Sequence, residues 1–240
     1  MNTCKNCGNK FEGNYCSNCG QAANTHAINA HFVWHDIQHG LLHIHGGFFY
    51  TAIQLFIKPG YSIREYVKGA RVRHFGPISM LILVGTLYGF LYHLLHINVM
   101  KYAPHGIMDF DKLNEWVATH YSFITLFTIP FYSLFSFLIF KKQSYNFFEH
   151  IVLNCYLGAQ RLSLHILALP LLYFAHNQGD INFVSGVLAV LDILLLFRGY
   201  VQFFNGMSKT KAFFYTAASY ILATLTITIL VSIFLAIMIT

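Results

Sequence analysis

Charged residues are scarce in this 240-residue sequence. Asp, Glu, Lys and Arg make up only 10% of it, whereas soluble globular domains carry about 25%. Hydrophobic residues make up 56%, and the mean hydropathy is +0.51. This balance excludes a soluble globular enzyme, a disordered chain and a disulfide-rich secreted domain. It predicts a membrane protein that crosses the bilayer several times.

The motifs of common enzyme chemistry are also missing. The sequence has no nucleophile elbow, phosphate-binding loop or dinucleotide fingerprint. The links between its apolar segments are too short to hold an appended catalytic domain. Its polar, cysteine-rich start predicts no secretory signal peptide. An enzyme is therefore not the favoured interpretation, although the sequence leaves the question open.

Five apolar segments predict transmembrane helices. Each has about the 20 residues that a helix needs to cross a hydrocarbon core of ~30 Å. We expect helices because a spanning backbone must satisfy its own hydrogen bonds. The expected spans are about 77–97, 121–140, 147–175, 182–204 and 212–239. The predicted fold class is an all-α polytopic membrane protein with about five transmembrane helices, an interfacial amphipathic helix and a small N-terminal zinc ribbon.

The distribution of basic residues predicts the orientation of these spans. Eleven Lys and Arg residues lie before the first span or in the links after the second and fourth spans. The opposite side holds only Lys101 and Lys112, beside four acidic residues. By the positive-inside rule the N-terminus is expected in the cytoplasm, and five spans then place the C-terminus outside. The expected location is the cytoplasmic (inner) membrane.

Cysteines are concentrated at the start of the chain. Two C-x-x-C pairs can place four thiolates at the corners of a tetrahedron, which is the geometry that Zn²⁺ accepts. Disulfides are disfavoured in the cytoplasm, and a redox motif would be a single pair. We therefore expect a ribbon over residues 1–24 with one structural Zn²⁺ bound by Cys4, Cys7, Cys16 and Cys19.

The expected role of this ribbon is structural, because a closed site of four cysteines has no open coordination position. So short a segment cannot bury a core. Metal binding would therefore supply its folding free energy, on the order of 10–16 kcal/mol. Lys5 and Lys10 form too weak a basic patch for nucleic acid, so no nucleic acid is expected. A protein partner, or a second copy of the chain, is the predicted contact.

Residues 31–57 predict an amphipathic helix that lies in the membrane interface. Gly40, Gly46 and Gly47 are expected to bend or split it. Its apolar face is expected to carry Trp34, Ile37, Leu41, Ile44, Phe48 and Leu55. Four histidines recur at i+4 on the opposite face: His31, His35, His39 and His43. They would share a second metal ion, respond to pH near 6 or simply face water. The water-facing interpretation is favoured.

A basic collar precedes the first span, within an expected segment 25–76. Lys58-Pro59-Gly60 indicates a turn, and Ser62 with Glu65 fits a capping box that would start a short helix. The collar is expected to contact anionic lipid headgroups, at about 1 kcal/mol for each charge, with a substrate phosphate site as the alternative. The collar residues are Arg64, Lys68, Arg71 and Arg73.

Charged residues inside the apolar spans predict a polar network in the helical domain, residues 77–240. At about 1.5 Å of rise per residue, Arg161 and Asp192 both lie near mid-membrane and are expected to pair. Arg198 is expected to pair with Glu149 or to snorkel. The network either fixes helix packing or lines a polar path or substrate pocket. Its expected members are Glu149, His150, Arg161, His165, Asp192 and Arg198.

Motifs over nearly the whole chain resemble a bacterial family of unknown function that joins an N-terminal zinc ribbon to a multi-spanning membrane domain. That family more often has Gly-Lys-Arg in the collar and a further histidine in the third span, so the resemblance supports no metal site there. It implies a membrane location and zinc, but no activity. The matching residues are the C-x-x-C-x8-C-x-x-C-G ribbon, Gly47-Phe48 with Thr51, Leu55 through Pro59-Gly60, Gly69-Ala-Arg71 leading to Pro77, and Glu149-His150-Ile-Val.

Three functions fit these observations. The favoured one is a non-enzymatic membrane scaffold or partner-docking protein that uses the ribbon. The alternative is a transporter or channel-like protein with a polar bundle interior. A membrane enzyme that acts on a lipid is the least favoured, and no catalytic residue is predicted. A water-filled cavity that reaches Arg161 would favour the transporter.

Overall fold

Five long apolar helices dominate the computed structural model, which describes residues 1–40, 47–100 and 110–239. All five are long and apolar enough to cross a membrane. The prediction of an all-α multi-pass membrane protein is therefore confirmed. The five helices are α4 (Pro77–Leu94), α5 (Phe110–Ile139), α6 (Phe147–Tyr173), α7 (Gln178–Phe203) and α8 (Lys209–Ile239). In α5 the helix begins about three turns before the expected span, in the polar stretch after residue 109.

Two short strands and three short helices precede the bundle. The strands β1 (Asn2–Thr3) and β2 (Lys10–Phe11) pair antiparallel. The helices are α1 (Ala30–Gly40), α2 (Phe48–Ile57) and α3 (Pro59–Val67). Gly47 is a turn residue immediately before α2, which agrees with the split expected near the glycines. Leu41, Ile44 and Gly46, and the side chain of Ile37, lie outside the described residues.

Helices α4 and α6 form the centre of the bundle, and α5, α7 and α8 lie around them. Small residues allow this close packing, as is usual where helices meet inside a membrane. A Cβ added at Gly89 would lie 2.6 Å from the carbonyl oxygen of Ala118, so α4 and α5 touch there through their backbones. The outer helices expose large apolar side chains, as lipid contact requires.

The contacts of α2 correct the predicted interfacial face. Leu55 is buried against the bundle, and the ring of Phe48 meets that of Phe75 edge-on at 5.8 Å. These two residues were expected to face lipid. The exposed apolar side chains of α2 are instead Phe49, Ile53 and Ile57, which follow one another at i+4. The position of α2 in the membrane interface stays a prediction, with this second face toward lipid.

The start of α3 is also corrected. α3 begins at Pro59, and Lys58 alone separates it from α2. The expected turn over Lys58-Pro59-Gly60 is therefore reduced to this one residue. Ser62 lies within the helix and caps nothing. Its hydroxyl group is 2.9 Å from Nε2 of His74. The capping box failed because proline, with its fixed φ and missing N–H, already suits the first helical position.

Candidate functional site

The four N-terminal cysteines form one cluster that could hold a metal ion. Their sulfur atoms all lie within 4.8 Å of one another. The Sγ atoms of Cys4 and Cys19 are 3.5 Å apart, and those of Cys7 and Cys16 are 3.6 Å apart. A tetrahedron with Zn–S bonds of about 2.3 Å has sulfur–sulfur edges of about 3.8 Å. The four thiols are free, and their spacing suits a tetrahedral ion better than disulfides.

The cluster is built from two similar turns. In each turn the backbone N–H of the glycine after the second cysteine donates a hydrogen bond to the carbonyl of the first cysteine. The bond from Gly8 to Cys4 is 2.9 Å long, and the bond from Gly20 to Cys16 is 2.8 Å long. Both glycines have positive φ, 74° and 73°, a region that side chains disfavour. The backbone N–H of Asn9 lowers the pKa of Cys7, whereas desolvation raises the pKa of Cys4 to about 11. The two turns direct the four sulfur atoms at one point, although the pKa shifts of the thiols differ in direction.

The ribbon contacts the chain's own collar. Oε1 of the buried Gln21 accepts hydrogen bonds from the backbone N–H groups of Arg71 and Val72, at 3.1 and 3.2 Å. Lys5 donates to Oγ1 of Thr25 at 2.9 Å. One surface of the ribbon is therefore used within the molecule. The predicted protein partner or second copy stays a prediction for the remaining surface.

Two of the four collar cations have partners in the protein, not only in solvent. Nη1 of Arg64 donates to the carbonyl groups of Gln202 and Phe203 at the end of α7. The guanidinium of Arg71 lies over the ring of Phe32, 4.4 Å from its centre. These two guanidinium groups are therefore held partly by α7 and α1, and headgroup contact of the collar stays a prediction.

The remaining collar residues, Lys68 and Arg73, are exposed. Headgroup contact stays a prediction for them. In the histidine stripe, His31 is exposed at the start of α1. The side chains of His35 and His39, and all of His43, lie outside the described residues. A second metal site there is therefore still only predicted.

Arg161 and Asp192 form the intramembrane pair that their depth predicted. Nε of Arg161 lies 3.0 Å from Oδ2 of Asp192. His165, one turn further along α6, places Nε2 2.9 Å from the same oxygen. Nη1 of Arg161 donates to the hydroxyl of Tyr220 on α8 at 3.3 Å. One carboxylate oxygen thus joins two donors of α6 to α7.

This pair lies at the edge of a cavity of about 410 Å³ among α5, α6, α7 and α8. A volume of that size is within the range of small-molecule sites. Apolar atoms make up most of the walls, but half of the lining residues carry a polar group. Besides Arg161 and Asp192, these are Tyr121, Thr125, Thr128, Tyr132, Asn154, Gln160 and Tyr220.

The other expected members of the network lie elsewhere. His150 is buried, with Nδ1 2.8 Å from Oγ of Ser136. Asn154 joins that group through the carbonyl of His150, and Tyr200 donates to Asn154 at 2.8 Å. This cluster ties α5, α6 and α7 together. Within the described residues, no hydrogen bond or ion pair of His150, Glu149 or Arg198 reaches Arg161 or Asp192, although Asn154 also lines the cavity. The predicted six-residue network is therefore divided.

Glu149 and Arg198 do not pair with each other, which corrects that expectation. Glu149 accepts from the backbone N–H of Asn146 at 2.8 Å, and Asn146 accepts from that of Glu149, so the two residues cap α6. Nη1 of Arg198 donates to the carbonyl of Phe56 at 3.1 Å. Each of the two charged side chains thus binds a free backbone group at a helix end, Glu149 at the start of α6 and Arg198 at the end of α2.

Sequence reasoning missed Asp36 and the tyrosines of the cavity. Oδ2 of Asp36, on α1, accepts from the backbone N–H of Ile78 at 3.2 Å, which satisfies one free N–H at the start of α4. Nothing in the local pattern around Asp36 indicates a contact 42 residues away. Tyr121, Tyr132 and Tyr220 carried a weak signal, as amphipathic rings inside otherwise apolar spans.

Comparison with known proteins adds one family. Residues 45–89 match the model of a family described as "Protein of unknown function (DUF3667)". The matched segment holds α2, α3, the collar and the first two thirds of α4, and it includes three of the motifs on which the resemblance rested. No curated protein matches the chain. No solved structure matches it.

Proposed function

We propose that this protein is a transporter-like membrane protein whose solute cavity lies among α5, α6, α7 and α8. The observation that carries the proposal is the contact of that cavity with Arg161. Charged residues inside a membrane commonly mark solute or ion pathways when they border a cavity. The proposal follows the alternative interpretation of the sequence in preference to the scaffold.

The energetics of Arg161 support this proposal. The residue lies at the middle of α6, where a charge in hydrocarbon costs at least ~2.5 kcal/mol. Its side chain is 46% exposed, although Asp192 neutralises one edge of the guanidinium. A half-exposed cation at this depth is tolerable where it faces a wet or ligand-filled cavity. Such residues typically mark a solute or ion pathway.

The zinc ribbon has a supporting role in this proposal. Zn²⁺ fits the donor set, because four thiolates at this spacing match its preferred tetrahedron. The folded ribbon would hold the collar through Gln21 and so fix α3 against the end of α7. The proposed orientation places the ribbon in the cytoplasm and the chain in a bacterial inner membrane. No enzymatic step is proposed.

The test is the water accessibility of the cavity from each side of the membrane. Thr128 lines the cavity, and its neighbour Phe127 is 68% exposed on the outer surface of the same helix. Each would be replaced by cysteine in reconstituted full-length protein. A membrane-impermeant thiol reagent would then be added to one face at a time. Cys155 is fully buried, and the metal protects the ribbon cysteines.

A transporter-like protein should be labelled at T128C from both faces and at F127C from neither. Labelling of T128C from one face only would mean a binding pocket without passage, and would contradict the proposal. No labelling from either face would contradict it as well.

A second candidate function is the docking of a protein partner, which the exposed part of the ribbon favours. Tyr15 is 68% exposed there, and tyrosine is a common anchor of protein interfaces. Deletion of the ribbon should then abolish capture of a partner while T128C labelling persists. If Y15A and the deletion capture the same proteins as the wild type, this second function is excluded.

A further inference from the structure

The guanidinium of Arg161 retains donors that the protein does not use. Asp192 engages Nε, and Tyr220 engages Nη1. Within the described part of the chain, no acceptor contacts Nη2. Nη2 is therefore available to an oxyanion that enters the cavity, because a guanidinium N–H forms strong hydrogen bonds to carboxylates.

The internal carboxylate is the more covered member of the pair. The side chain of Asp192 is 15% exposed, against 46% for Arg161. Oδ2 of Asp192 contacts both Nε of Arg161 and Nε2 of His165. Oδ1 is buried and has no hydrogen-bond partner among the described residues. A buried oxygen without a partner is costly, and such exceptions often mark functional sites. A second oxyanion that enters the cavity would therefore compete with Asp192 for the guanidinium of Arg161.

The remaining walls define the rest of the ligand. Apolar atoms make up most of the cavity wall, and eight of the eighteen lining residues are aliphatic, among them Ile124, Leu157 and Ile193. The rings of Tyr132 and Tyr220 stack at 4.5 Å and form one aromatic wall. These surfaces suit an apolar or aromatic body and offer no second cation for a dianion.

We propose that the cavity binds a small molecule with one carboxylate and an apolar body, and that this carboxylate accepts a hydrogen bond from Nη2 of Arg161. The inference rests on the proposed function, because it names the substrate class of the same cavity. It excludes cations, which Arg161 would repel, and dianions such as phosphate monoesters, which would bring a second negative charge to a wall that offers only one cation.

The experiment uses three probes with the same ring, benzoate, benzamide and benzylammonium. Each is added to the purified, zinc-loaded full chain, and the shift of the thermal unfolding midpoint gives the half-saturating concentration. Measurements between pH 6 and pH 8 keep benzoate ionised throughout. The variants are D192N, which retains Arg161, and R161Q/D192N, which removes both charges so that neither partner is left as an unpaired charge. K209Q removes an exposed cation elsewhere and serves as the control.

The proposal predicts that benzoate stabilises the wild type and K209Q, while benzamide is at least tenfold weaker and benzylammonium has no effect. In D192N, benzoate should bind more tightly, because Asp192 no longer competes for the guanidinium of Arg161. In R161Q/D192N, benzoate and benzamide should become equal.

Equal effects of benzoate and benzamide on the wild type would overturn the proposal. A preference for benzoate that survives in R161Q/D192N would overturn it too, by placing the site elsewhere. These results are independent of T128C labelling. A protein that binds benzoate but is labelled from one face only would refute transport and keep the ligand class.

Discussion

Arg198 joins the end of α7 to the end of α2, because its Nη1 donates a hydrogen bond to the carbonyl of Phe56 at 3.1 Å. Its Nη2 donates to the carbonyl of Ile57, the next residue. Both carbonyl groups belong to the last turn of α2, where they have no N–H partner within the helix. A cation there also complements the negative end of the helix dipole. A charge that resembled part of an intramembrane pathway is thus a helix cap.

Replacement of Arg198 by Gln should destabilise the protein by about 1–2 kcal/mol, since the carbonyls of α2 lose charge-assisted partners. The measurement is the denaturation midpoint in detergent. R73Q is the matched control, because Arg73 is exposed. T128C labelling should be unchanged in R198Q. An R198Q variant as stable as R73Q would show that α2 is held by other contacts.

Gly60 and Gly199 permit the closest crossing between α3 and α7. A Cβ at Gly60 would lie 2.2 Å from the carbonyl oxygen of Gly199 and 2.3 Å from the backbone nitrogen of Phe203. These backbone atoms cannot rotate away, so G60A should cost about 2–3 kcal/mol. The control is G186A, because a Cβ at Gly186 meets nothing within 4 Å. Equal midpoints for the two variants in thermal denaturation would argue against this crossing.

Metal content tests the cysteine cluster. The purified chain should contain one Zn²⁺, and C16S should lose it because a hydroxyl group replaces a thiolate ligand. The loss should also release the ribbon from Arg71 and Val72 and expose residues 1–24 to protease. C155S is the control, since Cys155 lies in α6, outside the metal-binding cluster. Elemental analysis that finds equal zinc in C16S and C155S would contradict the site.

His74 predicts how stability depends on pH. Burial lowers the pKa of His74, and Ser62 contacts its Nε2. The unfolded chain therefore takes up a proton near pH 6.5 while the folded chain resists it. Stability from this residue is complete above about pH 6.5 and is lost as the pH falls below that value. Denaturation at pH 7.5 and 5.5 should show a smaller loss in H74Q than in the wild type.

The control for this measurement is H31Q, because His31 is exposed at the start of α1. Its loss of stability on acidification should match that of the wild type. If H74Q and H31Q lose the same amount, His74 does not govern the acid sensitivity.

Sequence patterns were sufficient where the cause is local. Span length and composition identify α4 to α8, because a bilayer imposes both on any spanning helix. The cysteine spacing predicts the ribbon, because one ion constrains the chain over fewer than 20 residues. The Arg161–Asp192 pair followed from depth alone, since a mid-membrane charge needs a partner at its own level.

Long-range contacts explain the failures. Ser62 and Glu65 have the spacing of a capping box, but Pro59 starts the helix and His74 takes the hydroxyl. The function of Glu149 was readable, since Asn146 three residues earlier forms a true capping box. The capping of α2 by Arg198 had no readable signal, because that contact joins residues 142 positions apart.

The central claim is that the five helices cross a membrane, with the ribbon end of the bundle on one side. Two exposed links test it most directly, Lys141–Gln143 between α5 and α6, and 174–177 between α6 and α7. An epitope inserted after Gln143 or after Asn177 would be probed with antibody on sealed, right-side-out cells. We predict that the epitope after Asn177 is bound on intact cells and that the one after Gln143 is bound only after permeabilisation. Binding of both on intact cells, or of neither, would contradict the account.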